Sequence, residues 1–337
     1  MRITADDYLR LKKQLQIRPA LPQNLLYLSG VAFLLTLGFF LSVQASTITY
    51  LLGQFLLGFV FFQCFAFLHE CGHGNVSKSS TVNTILGHLV SPFCLLPYYP
   101  WKYIHTEHHR WTGNPAMDPT LKALEKRRRF ARFRFFEKTL WWLWIPVGGM
   151  IQQTVFWFYP LEMLKKEATK PSQIWASAVS VLWMFSVFIT LLTVVPTIFN
   201  FWTLGPAFLW FFLIYESVNL PHHSDQPVFG STDKDERLRF WEQHNTTRSC
   251  YYPAWLSEFF FMNFNFHIEH HFFPSLPWFR LRRARHLLKR DLGEAYNESH
   301  GFDWSLANRK KDPEQVFLKP NVLQRKYDDI AIKIEVE

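Results

Sequence analysis

Two long windows of this chain contain no lysine or arginine, and they limit the fold more than any other feature. One runs from Pro19 up to Lys78, with its apolar part between Leu25 and Leu68; the other runs from Pro171 to about Pro221. A helix of about 20 apolar residues spans a bilayer, so each window is too long for one crossing and suits two joined by a tight turn. The windows predict helices over about 25–45, 49–68, 173–195 and 202–220. The turns near Ala45-Ser46-Thr47 and Pro196-Thr197 carry no basic residue. No soluble core needs four uncharged helices of that length. A mean hydropathy of −0.04 hides this segregation, because purely apolar stretches alternate with stretches dense in charge.

All 36 lysines and arginines fall in an N-terminal arm, a middle segment or a C-terminal segment. Two crossings per hairpin put these three segments on one face, which the positive-inside rule makes cytoplasmic. Residues 1–18 are charged and polar, unlike a cleaved signal peptide. The four cysteines, Cys64, Cys71, Cys94 and Cys250, form no CxxC pair, and free thiols are expected. The run from Leu140 to Tyr159 is Trp-rich but broken by Pro146, Gly148 and Gly149; it reads as a re-entrant or interfacial helix. The expected class is therefore an all-α integral membrane protein. Its four transmembrane helices form two hairpins, joined by interfacial helices and a cytoplasmic helical cap.

The 14 histidines gather just beyond the predicted cytoplasmic helix ends. The first cluster is His69-Glu70-Cys71-Gly72-His73, the second His105-Thr106-Glu107-His108-His109, and the third His267-Ile268-Glu269-His270-His271. Histidines four apart share one helix face and can grip one metal. In the second and third clusters the middle histidine lies three after the first, so each triplet can serve two neighbouring metals. His222-His223 ends the fourth helix, with Asn219 one turn before His223. Two HxxHH motifs, one HxxxH motif and one terminal histidine give nine candidate ligands. One zinc ion takes three or four ligands, so nine imply two metals; imidazole suits iron, copper and zinc alike.

These clusters resemble the three histidine boxes of the membrane fatty acid desaturase and hydroxylase superfamily. The stretch Asn265-Phe266-His267-Ile268-Glu269-His270-His271-Phe272-Phe273-Pro274 and the placing of boxes after helix pairs are similar too. The resemblance covers roughly residues 25–290. It implies a membrane and di-iron catalytic domain there, between a cytoplasmic arm (1–24) and a cytoplasmic tail (291–337). It implies two Fe2+ ions held by His69, His73, His105, His108, His109, His267, His270 and His271, with a further ligand falling on His223 or the adjacent His222. His223 is preferred for its spacing to Asn219, which resembles a family asparagine that contacts one iron through water. The implied reaction is O2-dependent desaturation of a lipid, CoA or carrier-protein-linked acyl chain. Hydroxylases, acetylenases and carotenoid-modifying enzymes share the boxes. No HPGG-type haem segment is present, so electrons are expected from a separate ferredoxin or cytochrome b5. The third box begins with His and not Gln, which argues against a front-end desaturase.

The chemistry fits the substrate class. An unactivated methylene has no acid–base handle, so its oxidation needs a cofactor, and the protein must position the chain and exclude water. Glu70, Glu107 and Glu269 lie within the boxes and read either as partners that fix ligand imidazoles or as carboxylates solvating a surface. Asp118, in Asn114-Pro115-Ala116-Met117-Asp118-Pro119, reads first as a turn residue. Glu216, the sole charge in the second hairpin, is expected to orient the site. The basic stretches from Lys126 to Arg134 and from Arg280 to Arg285 suit anionic lipid, an acidic redox partner or an acyl carrier protein; nucleic acid is not an expected partner. His69-Glu70-Cys71-Gly72-His73 also satisfies the HExxH pattern of zinc proteases. That reading leaves both HxxHH motifs unexplained. A metal carrier would place polar ligands inside its crossings, which here are nearly devoid of them.

Overall fold

The computed structural model describes residues 3–122, 134–165, 169–228 and 237–317. These residues are mostly helical. Among them, four helices are long and apolar enough to cross a membrane: α2 (Leu21–Ser42), α3 (Thr47–His73), α8 (Pro171–Val194) and α9 (Phe201–His223). They match the four predicted from the uncharged windows. Before them comes α1 (Ala5–Leu15), opened by a capping box between Thr4 and Asp7.

Helix α3 runs further than its apolar stretch predicts. It continues through the first histidine cluster and stops only at Gly74, whose φ of 73° is the left-handed conformation favoured at a helix C-terminus. His69 and His73 therefore occupy the last turns of a membrane helix. Helix α3 is also the central element. In its most apolar window 72% of residues are buried, against 22% for α2, 17% for α8 and 39% for α9. It packs on α2 and α9 and against α4 (Ser80–Val90). Large apolar side chains such as Leu26, Trp175 and Val194 stay exposed on the other spans, as lipid-facing residues do.

The remaining elements surround the end of α3. Helix α5 (Tyr98–Trp111) carries the second cluster. Helices α6 (Arg134–Trp142) and α7 (Val147–Leu164) form the Trp-rich segment. Helix α7 packs against α5, α8 and α9 and is not among the helices apolar enough to cross a membrane. After α9 come a 3-10 turn (Phe240–Asn245) and a short strand β1 (Ser249–Tyr251). Helix α10 (His267–Phe272) then carries the third cluster, followed by α11 (Trp278–Leu292). Strand β2 (Glu298–His300) pairs in parallel with β1, a contact the all-helical expectation did not include. Helices α12 (Gly301–Arg309) and α13 (Pro313–Phe317) end the described chain. Leu11 and Leu15 of α1 share a buried apolar cluster with Phe272, Leu281 and Leu288, so the arm packs directly on the third-cluster region. The basic stretch at 126–133 lies outside the described residues; Arg280–Arg285 lies on α11. All four cysteines are free and buried.

Candidate metal centre

Four helices deliver the nine histidines: the end of α3, the second half of α5, the last residue of α9 and all of α10. They converge as two groups. His69, His73, His105, His109 and His270 form one; His108, His223, His267 and His271 form the other; within each, one ring nitrogen per residue lies within 4.8 Å of the rest. In the first group the Nε2 of His105 is 3.1 Å from that of His69, 3.0 Å from His73 and 3.1 Å from His109, and His270 is 2.8 Å from His109. In the second, the Nε2 of His223 is 3.2 Å from His108 and 2.8 Å from His267, and His271 is 3.0 Å from His267.

The HxxHH spacing explains the division. In α5 the outer pair, His105 and His109, faces the five-imidazole group while the middle His108 faces the other. In α10 the outer pair, His267 and His271, faces the four-imidazole group while the middle His270 crosses to the first. Two helices with the same motif thus exchange one histidine each, which joins the groups.

Hydrogen bonding fixes what some of these nitrogens present. His108 donates through Nδ1 to the Asp118 carboxylate, at 3.0 and 3.1 Å. Burial pushes the Asp118 carboxyl up, but the His108 ring and hydrogen bonds from His108 and Thr120 outweigh burial and hold it below its ordinary value. The Gln243 amide donates to the backbone oxygen of His109 at 2.8 Å, which orients its Oε1 to accept from Nδ1 of His271, also at 2.8 Å. His108 and His271 donate through Nδ1 and therefore turn Nε2 toward the other rings. Burial, reinforced by neighbouring imidazoles, pushes His105, His109, His267, His270 and His271 well below the ordinary imidazole value. Neutral imidazoles with lone pairs aimed at a common centre repel one another unless a cation lies between them. This donor set fits two imidazole-bound metal ions.

The other expected residues divide. Asn219 lines the cavity beside His108, His223 and His267. Glu70 accepts from the Trp278 backbone N–H at 2.9 Å, and its other oxygen is 3.8 Å from Nδ1 of His69, too far for a hydrogen bond. Glu107 faces outward, half exposed, bonding the Trp111 indole at 3.1 Å and facing Arg110 at 3.7 Å; it reaches no imidazole. Glu269 is fully buried and accepts from Ser249 and Tyr296, so it anchors α10 to the tail and not to a ligand ring. Glu216 was expected to orient the site. It instead accepts from Arg309 at 2.6 Å and from the Gly149 N–H at 3.0 Å, because α9 turns it toward α7 and the tail. His222 joins neither group; it stacks on His267 with ring centroids 4.1 Å apart. The zinc-protease reading needs Glu70 free to act as a base, whereas Trp278 holds it. Asp118 is both a turn residue, bonded to the Thr120 N–H at 2.9 Å, and the partner of His108. Gln243 escaped sequence reading because nothing local marks it; it sits more than 20 residues from any histidine cluster it serves.

A cavity of about 220 Å³ opens beside the histidines. One part of its wall is apolar, from Phe65, Trp101, Ile104, Val155 and Phe156; another is polar, with Thr120 and Asp225. An apolar slot with histidines along one side suits a hydrocarbon chain.

The chain is similar to known proteins over most of its length. The fatty acid desaturase family matches over residues 45–302. An sn-1 oleoyl-lipid 12-desaturase of Picosynechococcus is 27% identical over 266 residues, covering 76% of this chain and 72% of that relative. An sn-1 oleoyl-lipid 12-desaturase of Anabaena variabilis is 26% identical, covering 79% and 74%. An sn-1 acyl-lipid omega-3 desaturase (ferredoxin) of Synechocystis is 25% identical, covering 73% and 69%. A match over most of the chain, joined to histidine boxes that converge beside an apolar cavity in a membrane protein, makes this chain a member of the fatty acid desaturase family.

Proposed function

We propose that the protein is an O2-dependent acyl-lipid desaturase with a di-iron centre on the cytoplasmic face of a multi-pass membrane domain. The observation that carries this reading is the pair of convergent imidazole groups beside an apolar cavity. His69, His73, His105, His109 and His270 would hold one iron; His108, His223, His267 and His271 would hold the other, with Asn219 placed to bind it through water. Bound there, the iron pair supplies the oxidising power that an unactivated methylene requires. Phe65, Trp101, Ile104 and Phe156 hold the acyl chain beside the imidazoles and keep bulk water from it. Asp118 and Gln243 keep their imidazoles in the ligating tautomer. Glu70 and Glu269 fix the helix ends that carry the boxes.

Reducing O2 to two waters takes four electrons. Forming the double bond supplies two, so two must come from outside. The name of the Synechocystis relative favours a ferredoxin as the donor, and the relatives' names favour a glycerolipid acyl chain as the substrate. The three basic segments favour the cytoplasmic face for the site.

The test is expression in a host membrane together with a ferredoxin and its reductase, with lipids compared by mass spectrometry. A His108→Ala, His270→Ala variant serves as the control. Acyl chains lighter by two hydrogens in the wild type alone are expected, and fragment ions locate the bond. Chains heavier by one oxygen would replace desaturation with hydroxylation.

A further inference from the structure

We propose that Gln243 is a positioning residue of the metal centre, holding His271 as an Nε2 ligand and joining the two imidazole groups through one amide. The inference rests on reading those groups as metal sites. Gln243 is 1% exposed and lies in the 3-10 turn after α9, far in sequence from α5 and α10. The Thr246 and Thr247 hydroxyls donate to its backbone oxygen at 3.1 and 2.9 Å, which fixes the turn and the point from which the side chain departs. The two ends of the amide then do different things. Its N–H donates to the backbone oxygen of His109, a member of the five-imidazole group, at 2.8 Å. Its oxygen accepts from Nδ1 of His271, a member of the four-imidazole group, at 2.8 Å. The amide cannot be reversed, because a carbonyl oxygen facing its N–H must be met by a donor.

That polarity decides the His271 tautomer. With Nδ1 protonated, Nε2 is the free lone pair, and it points at His267 Nε2, 3.0 Å away. The Thr112 hydroxyl, 3.3 Å from the same Nδ1, is bonded at 2.7 Å to the His108 backbone oxygen. That hydroxyl spends its one hydrogen there, so it offers a lone pair to Nδ1–H and reinforces the same tautomer. Without Gln243 the ring loses its stronger acceptor and is freer to rotate or to take the other tautomer. Loss of such an outer partner weakens a metal site roughly ten- to a hundredfold.

The test uses the full-length protein purified in detergent and freed of metal, with Co2+ as the probe, followed by equilibrium binding and the visible cobalt spectrum. Wild type is expected to bind two ions per chain. Gln243→Leu and Gln243→Met should keep one site near wild-type affinity and weaken the other roughly ten- to a hundredfold, with a changed cobalt spectrum. Thermal unfolding identifies any variant that has not folded; the Met variant decides the matter if the Leu variant fails. Two sites of wild-type affinity in folded Leu and Met variants overturn the proposal. A wild-type protein that binds no cobalt overturns the metal reading itself, and the inference with it.

Discussion

The histidines of the centre are not held equally. His108 and His271 are locked through Nδ1, by Asp118 and by Gln243, whereas the Nδ1 atoms of His109 and His267 are buried with no hydrogen-bond partner. Locked rings tolerate change at their partners poorly. Asp118→Asn keeps an acceptor for His108 but removes the charge that strengthens it, and metal affinity should fall roughly tenfold or more with the fold retained, as read by metal titration and thermal unfolding. The buried rings also make the metal-free protein acid-sensitive. His105, His109, His267, His270 and His271 are held below the ordinary imidazole value of 6.5 when folded, while the unfolded chain protonates near that value. Protons then bind the unfolded state first, so stability is intact above about pH 6.5 and is lost as pH falls below it. A pH series of thermal unfolding on the metal-free protein should show the midpoint dropping through that range; a flat profile would contradict buried neutral rings.

Among the elements, helices α3 and α5 set the tightest geometry. A Cβ added at Gly72, inside the first box, would lie 2.4 Å from Cζ3 of Trp101, and Trp101 stacks on His105 with ring centroids 4.6 Å apart. Gly72 therefore lets α5 approach α3 closely enough for four of the five imidazoles in one group to meet. Gly72→Ala should move Trp101, cost about 1–3 kcal/mol in stability and displace His105. The expected readout is a lower unfolding midpoint with weakened metal binding at one site of two. The HxxHH motif was legible at this scale, since spacings of three and four on a helix reach two directions from one face. The roles of Glu107 and Glu269 were not, because spacing places a carboxylate on a helix but does not say which neighbour packs against it.

Across the whole molecule, the tail is tied to the membrane helices next to the cavity wall. Arg309 of α12 pairs with Glu216 of α9, donates to the Trp141 backbone oxygen and stacks on the Trp141 ring at 3.9 Å. Glu216 also takes the Gly149 N–H at the start of α7, next to Gly148 and Ile151 on the cavity wall. Both side chains are almost fully buried. Removing one partner of such a pair leaves the other charge uncompensated, so Arg309→Met should cost about 3 kcal/mol or more. Arg309→Met combined with Glu216→Gln should recover much of that loss, measured by thermal unfolding of the purified protein; equal losses in the single and double variants would dissolve the pairing argument.

The sequence by itself determined the class of protein, the four long helices and the eight histidines of the three clusters as candidates. Each of these follows from local rules: the length of an uncharged apolar run, the sign of flanking charge, and the three-and-four spacing of one helix face. It also favoured His223 over His222 through the single turn that separates it from Asn219. Tertiary structure alone decided the rest. It sorted the nine rings into five and four, turned Glu216 away from the site toward Arg309, and made Asp118 a partner of His108. It also brought Gln243 from a distant turn to both groups at once. Those outcomes depend on which buried donor meets which buried acceptor across helices remote in sequence, and that pairing exists only once the helices have packed.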